Sequence, residues 1–257
     1  MSAATAPTGT PVGAPVAVVT GAGGGIGSAV ARRLAADGYR IACVDVASGS
    51  GTGAGEVAAA LPGAAAFTCD VSSSPAVARL AAEVSEFAGE AVRLLVNAAG
   101  VFFRHRITEL SDADWDRTIG VNLTGPFLTC RAFLPAMIEA GVGGIVNVAS
   151  TAGVRGGRDR AAYCASKGGL VLLTRSIALD QGRDGIRVNC VCPGLIDTSM
   201  ADWIRDDPAA LAGFAASLPA GRMGTPDEIA AVVSFLASKD ASYLQGAVLM
   251  ADGGATA

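Results

Sequence analysis

Seven short apolar runs alternate with longer stretches of helical periodicity along this chain, and that alternation restricts the fold more than any other feature. The runs, residues 16–20, 40–45, 65–70, 93–97, 144–150, 186–191 and 247–251, are mostly rich in Val, Ile and Ala and end in a polar residue or glycine. Continuous apolar runs of this kind suit strands covered on both faces. Between them, residues 25–37, 75–87, 124–140, 161–181 and 226–237 carry leucines and alanines at three- and four-residue spacing, which predicts helices. The pattern predicts an α/β fold, a doubly wound parallel sheet of seven strands flanked by helices. Right-handed crossovers then bring the polar strand ends to one edge of the sheet, where ligands bind.

A chain of 257 residues can bury one large core, and 51% hydrophobic against 16% charged residues is far too apolar for disorder. One domain is expected over residues 15–257. Residues 1–14, rich in Ala, Thr, Pro and Gly, carry no positive charge and no signal-like apolar stretch, so a flexible tail is expected there. Net charge is −4, and no basic cluster exceeds Arg104-His105-Arg106, which argues against a nucleic-acid partner. No run approaches the roughly 20 apolar residues that span a bilayer, so no membrane partner and a cytoplasmic location are expected. The six cysteines, Cys43, Cys69, Cys130, Cys164, Cys190 and Cys192, lack CxxC spacing and read as reduced core thiols; they and the single His105 offer no metal-ligand pattern. Residues 198–224 break the strand–helix rhythm with Met200, Trp203, Phe214 and Met223 among several Asp and Pro. A lid is expected there, or else an insertion that covers the sheet edge.

The first strand runs directly into Thr20-Gly21-Ala22-Gly23-Gly24-Gly25-Ile26-Gly27, and a helix follows. A diphosphate reaches main-chain N–H groups at a helix N-terminus only where no Cβ intervenes and the turn can take positive φ. A plain flexible turn is the alternative, and the position between strand and helix argues against it. Eighteen residues past Gly27 the second strand ends in Asp45, placed to accept hydrogen bonds from an adenosine ribose. Asp45 would repel a 2′-phosphate, and Val46, Ala47 and Ser48 supply no compensating Arg or Lys, so NAD is the expected cofactor. The other reading of Asp45 is a loop cap.

Tyr163 and Lys167 are four residues apart in a helical stretch and so share a face. A nearby ammonium stabilises a phenolate, which ordinarily forms only near pH ~10. A solvated pair is the alternative. Thirteen residues before Tyr163, Ser150 closes a strand and is positioned to hydrogen-bond a substrate oxygen together with the phenol. Thr151 is displaced to the other face and Ser166 is expected to point away around the helix.

With residues 20–27, Asn97-Ala98-Ala99-Gly100, Asn122, Ser150, Tyr163 with Lys167, and Pro193-Gly194 in order, the chain resembles the short-chain dehydrogenase/reductase family from about Val16 to Gly254. The resemblance implies a Rossmann-type fold and an NAD-dependent oxidoreductase that interconverts a secondary alcohol and a ketone. It implies Tyr163 as general acid/base, Lys167 binding the nicotinamide ribose and lowering the Tyr163 pKa, Ser150 orienting the substrate oxygen, and Asn122 holding a water of a proton relay. It also implies cofactor contacts at Gly21, Gly25, Ile26, Gly27, Asp45, Asp70, Val71, Asn97, Ala98, Gly100, Tyr163, Lys167, Pro193, Gly194, Ile196 and Thr198. Ala98 departs from the Asn-Asn-Ala-Gly of many relatives. Gly221-Arg222 and Asp252-Gly253-Gly254 match structural positions, and a homotetramer is implied through helices 124–140 and 161–181.

The rival readings are a catalytically silent relative that binds NAD, and a 3-oxoacyl-[acyl-carrier-protein] reductase. The intact Asn122, Ser150, Tyr163 and Lys167 set argues against the first. The absence of basic residues at the cofactor loop argues against the second. His105 reads as a solvated or substrate-loop side chain, and Cys190 and Cys192 as packing. Phe102, Phe103, Arg155, Cys164, Trp203 and Phe214 are placed as possible cleft-lining residues.

Overall fold

The computed structural model of the protein describes residues 13–46 and 53–257. Most of the expected tail, and the expectation for Ala47 and Ser48, lie outside the described residues. The strands are β1 (Val16–Thr20), β2 (Arg40–Asp45), β3 (Ala65–Thr68), β4 (Leu94–Asn97), β5 (Gly143–Val148), β6 (Ile186–Pro193) and β7 (Val248–Ala251). They form one sheet of order β3-β2-β1-β4-β5-β6-β7, every neighbouring pair parallel. The chain steps outward from β1 to β3, returns to lay β4 beside β1, and steps outward the other way to β7. That reversal opens a crevice between β1 and β4 at their C-terminal ends.

The helices are α1 (Gly25–Ala36), α2 (Gly53–Ala59), α3 (Ser74–Ala88), α4 (Asp112–Ile119), α5 (Gly125–Glu139), α6 (Ala161–Gln181), α7 (Asp202–Arg205), α8 (Pro208–Ala216) and α9 (Pro226–Ala237). On β1, Ala17 and Val19 face α1 and α9, while Val16 and Val18 face α3 and α5, and all four are fully buried. Burial on both faces is why the strand reads as an unbroken apolar run. Leu34 and Leu236 fill one layer, Leu80 and Met137 the other, and each such side chain contributes roughly 1.5–3 kcal/mol.

Several boundaries differ from expectation for local reasons. β3 stops at Thr68, because its partner β2 stops at Asp45. β5 stops at Val148, before Ser150, whose hydroxyl accepts from the Ala152 N–H at 3.1 Å and starts a single 3-10 turn. The expected helix from residue 124 begins at Gly125, behind a wider π-helical turn, Gly120–Thr124, that carries Asn122. The region 198–224 is α7, α8 and short turns.

Arg187 of β6 secures the end of α9. Its guanidinium donates to the carbonyls of Leu236 (2.7 Å), Ala237 (3.2 Å), Ser238 (3.1 Å) and Ala241 (3.1 Å), supplying the partners that a helix C-terminus lacks. No helix among the described residues is long and apolar enough to cross a membrane.

Candidate active site

The glycine loop is built by close backbone approach. Gly21 takes φ +69°, and a Cβ there would lie 2.8 Å from the Ala99 backbone, so the turn needs glycine. Thr20 holds the facing segment, its hydroxyl accepting from the N–H groups of Ala98 (3.1 Å) and Ala99 (3.2 Å). A Cβ on Gly27 would strike the Gly21 carbonyl, which is why α1 can start so close to the strand end. Asp45 accepts from Gly23 N–H at 2.9 Å and from Val46 N–H at 2.8 Å. The loop-cap reading is therefore realised, and Asp45 also stands on the cleft wall.

This cleft, about 530 Å³, runs from Asp45 and Asp70-Val71 past Gly24, Gly25, Ile26 and Gly27 to Gly100, Phe102 and Thr198. Its shape and chemistry fit a dinucleotide. Gly24 caps α1 without any side-chain acceptor, leaving first-turn N–H groups to face an anion. A side chain on Gly25 would collide with Thr198, so the floor under the 198–202 segment stays open only because it is glycine. Asp70 is held by Ser72 (2.6 Å) and by Arg117 (2.8 Å), which together draw its pKa below the ordinary range against the opposing effect of burial.

Four of the expected cofactor residues stand back from the cleft lining. The Asn97 side chain turns into the core, where its amide donates to Asn147 Oδ1 at 2.8 Å and its carbonyl accepts from Thr129 at 2.7 Å; Ala98, Ala99 and Gly100 line the cleft in its place. Pro193, Gly194 and Ile196 lie outside the lining. A Cβ on Gly194 would meet Asp252, and Ile196 packs into the core beside Gly224.

The reactive groups converge beside the cleft's Phe102 end. Tyr163, near the start of α6, packs edge-on against Phe102, with ring centroids 4.9 Å apart, and the Ser150 hydroxyl lies near enough to its phenol to lower its pKa. Lys167, one turn on, is buried; its Nζ donates to the Val148 carbonyl at 2.8 Å and lies 5.8 Å from the Tyr163 ring centroid. Asn122 holds the segment after β4 that carries Gly100, accepting from Val101 N–H at 2.8 Å and donating to Val101 O at 2.9 Å. Ser166 does not point away: its hydroxyl accepts from Asn122 Nδ2 at 3.2 Å and donates to the Tyr163 carbonyl at 2.8 Å. Gly100 lies where Asn122 and Lys167 meet, so that a Cβ there would be 3.4 Å from Asn122 Oδ1 and 3.7 Å from Lys167 Nζ.

Burial pushes the Tyr163 phenol above its ordinary value; the nearby Ser150 hydroxyl and the Arg160 guanidinium oppose the shift. The expected pull of Lys167 is not among those effects, and burial lowers Lys167 itself to about 8.

Outside this cluster, His105 pairs with Asp114 at 3.4 Å. Cys190 and Cys192 are fully buried beside Leu170 and Val171. Of the candidate lining residues, Phe102 and Phe103 border the cleft, Trp203 is covered by Arg104 at 4.2 Å, and Arg155 donates to Ala255 O at 2.7 Å. Cys164 lies 3.9 Å from the Arg155 carbonyl, and Phe214 on α8 stays outside the cleft lining. Sequence reasoning missed Asn147, which links Asn97 to Thr174 at 2.9 Å; a polar residue inside an apolar strand run was its only signal.

The family model described as Enoyl-(Acyl carrier protein) reductase matches residues 21–256. The chain belongs to the short-chain dehydrogenase/reductase family. Among members of that family, it is similar to meso-2,3-butanediol dehydrogenase of Serratia marcescens, 43% identical over 94% of this chain and 94% of that protein. D-threitol dehydrogenase of Mycolicibacterium smegmatis is 42% identical over 94% of this chain and 92% of that one. A solved structure described as a putative NAD(P) dependent gluconate 5-dehydrogenase from Beutenbergia cavernae, with NADP bound at low occupancy, superposes with a TM-score of 0.88 at 36% identity, covering 94% of this chain and 96% of that chain. This short-chain dehydrogenase/reductase is an oxidoreductase that shares its overall fold with that structure.

Proposed function

We propose that this enzyme interconverts a small secondary alcohol and its ketone, using NAD(H), with Tyr163 as the acid/base. The observation that carries the reading is the convergence beside the cleft of Tyr163, packed on Phe102, with buried Lys167 one helical turn away and Asn122 behind it. In oxidation, the Tyr163 phenolate, its own proton given up toward solvent, takes the substrate hydroxyl proton while Ser150 Oγ keeps a hydrogen bond to that oxygen, steadying charge as it develops. When bound, NAD would supply the acceptor for the hydride that leaves the carbinol carbon. Lys167 and Asn122 hold the polar path that returns the proton from Tyr163 toward solvent. The first-turn N–H groups at Gly25, Ile26 and Gly27 bind the diphosphate. The ends of the dinucleotide are held by Asp45, Asp70 and Val71 on one side, and by Gly21, Ala98, Gly100, Lys167, Thr198 and the main chain of Asn97, Pro193, Gly194 and Ile196 on the other. Asp45 supports NAD, since a carboxylate on the cleft wall beside the glycine loop would repel a 2′-phosphate. Diol and polyol dehydrogenases among the relatives support a small hydroxylated substrate.

Within this reading, residues 15–257 act as one domain, with residues 198–224 as its substrate lid, in a cytoplasmic homotetramer. The exposure of Leu172 (65%) and Leu179 (85%) on α6 supports burial of that face against a second copy.

The test is nicotinamide absorbance during turnover of a panel of secondary alcohols, hydroxy acids and polyols with NAD or NADP. NAD turnover that falls about 10²- to 10⁴-fold in Tyr163→Phe, with cofactor binding kept, is expected. Preference for NADP overturns the Asp45 assignment, and tight NAD binding with no turnover of any substrate overturns the enzyme reading in favour of a silent binder.

A further inference from the structure

Two loops meet at the substrate side of Tyr163: residues 102–106, which follow β4, and residues 154–160, which lead into α6. They are joined by the His105 N–H, which donates to Asp159 O at 2.9 Å, and by a parallel bridge between His105 and Arg160. The chain as a whole holds 23 acidic and 19 basic residues, yet these two loops hold Arg104, Arg106, Arg155, Arg158 and Arg160 against the single acid Asp159. An excess of positive charge against the average of the molecule, gathered at the mouth of a site, attracts and orients anions.

The arginines are not equivalent. Arg104 is tied to Asp159 at 3.7 Å and lies over Trp203, and Arg155 is engaged with Ala255 O. Arg106 and Arg158 are exposed on the outer loop surface. Arg160 alone is half-buried against the reactive cluster, its guanidinium 5.7 Å from the centroid of the Phe102 ring that packs on Tyr163. Its one protein acceptor among the described residues is the Arg158 carbonyl, reached through Nε at 3.3 Å, and no carboxylate lies within 4.0 Å of it. The terminal NH₂ groups are therefore left for a ligand. The turn that delivers it is strained: Asp159, immediately before, is the one non-glycine residue with positive φ (59°) among the described residues, a backbone state of a kind that gathers at functional sites.

We infer that Arg160 anchors a carboxylate on the substrate, so that the preferred substrate is a small hydroxy acid or keto acid rather than a neutral diol or polyol. This rests on the oxidoreductase reading above and narrows it. A guanidinium presents a planar fork that matches a carboxylate with two parallel hydrogen bonds. Partly shielded by Phe102, the pair is screened less than an exposed ion pair. The anchored end fixes the carbinol end against Ser150 and Tyr163. Phosphate monoesters share the anionic chemistry and form a separate arm of the test.

β-Hydroxybutyrate, its neutral amide β-hydroxybutyramide, and glycerol phosphate are compared as substrates by kcat/KM and as ligands by calorimetry with the NAD-loaded enzyme. The acid is expected to exceed the amide about 10- to 100-fold. That ratio should collapse in Arg160→Leu, recover partly in Arg160→Lys, and hold in Arg158→Leu. Equal binding of acid and amide, or an equal loss of the ratio in Arg158→Leu, overturns the anchor in favour of no site or of diffuse steering. Preference for glycerol phosphate over the acid overturns the carboxylate assignment. Acid-selective binding without turnover of anything leaves the Arg160 site standing and sinks the oxidoreductase reading instead, so the two failures are distinguishable.

Discussion

At the scale of single residues, what distinguishes this site is how the ionisable groups are buried. Lys167 is held at about 8 against its ordinary 10.5 because the ammonium is removed from water. An unfolded chain would hold that proton up to about pH 10.5, whereas the folded chain releases it from about pH 8. Between those values the unfolded state binds more protons, so the Lys167 contribution to stability rises with pH, and its full penalty is present below about pH 8. Lys167→Met removes the buried charge. In cofactor-free protein the melting temperature of this variant, relative to wild type, is therefore expected to fall by a few °C on going from pH 7 to pH 10. A difference that stays flat over that interval would show that Lys167 is not perturbed. Tyr163 is shifted the other way, upward, so oxidation is expected to accelerate with rising pH as the phenol approaches ionisation. Tyr163→Phe should remove both the rate and this dependence.

At the scale of elements, long-range polar contacts set the strands and helices against each other. Asn97 of β4, Asn147 of β5, Thr129 of α5 and Thr174 of α6 form one buried chain of hydrogen bonds beneath the reactive cluster, with no buried side-chain polar atom left unpartnered among the described residues. Arg187 does the same for α9. Replacing it with Met leaves four carbonyls at the α9 end without their charged donor, and a loss of roughly 2–3 kcal/mol is expected, or roughly 5–10 °C in Tm by differential scanning calorimetry. An unchanged Tm would mean that water serves those carbonyls as well. The elements that sequence reading missed are instructive. α4 carried a legible start, Ser111 accepting from Asp114 N–H with Asp112 and Asp114 in its first turn, but its helical run is only eight residues. α8 also had a capping Asp207 followed by Pro208, yet its Ala-rich run has no apolar stripe and no fully buried residue to mark a face.

At the scale of the whole molecule, the outer faces of α5 and α6 matter most. Phe127, Ile138, Leu172 and Leu179 are all exposed in the single chain, and apolar side chains repeated along neighbouring helices are the usual mark of a covered surface. Light scattering after gel filtration is expected to return the mass of four chains for wild type and a smaller assembly for Leu179→Glu, because a carboxylate buried without a partner is costly. One-chain mass for wild type would remove the assembly from the account.

The seven strands, most of the long helices, the glycine turn and the Tyr163–Lys167 spacing were legible in the sequence by itself, because they follow from short continuous apolar runs, a 3.6-residue period and turn chemistry, all of which act between near neighbours. Even the sequence's mistakes were local: Ser150 left its strand early because its own hydroxyl capped the next turn. The resemblance to a family added roles to residues that spacing could only place. Tertiary structure alone decided that Asn97 faces Asn147 in the core, that Ser166 turns toward Asn122, and that Arg160 arrives beside Phe102 with no carboxylate to meet it. Each of those depends on which strand neighbours which and on how a loop lands against a distant one. Contacts of that kind join residues dozens of positions apart, and no local period encodes them.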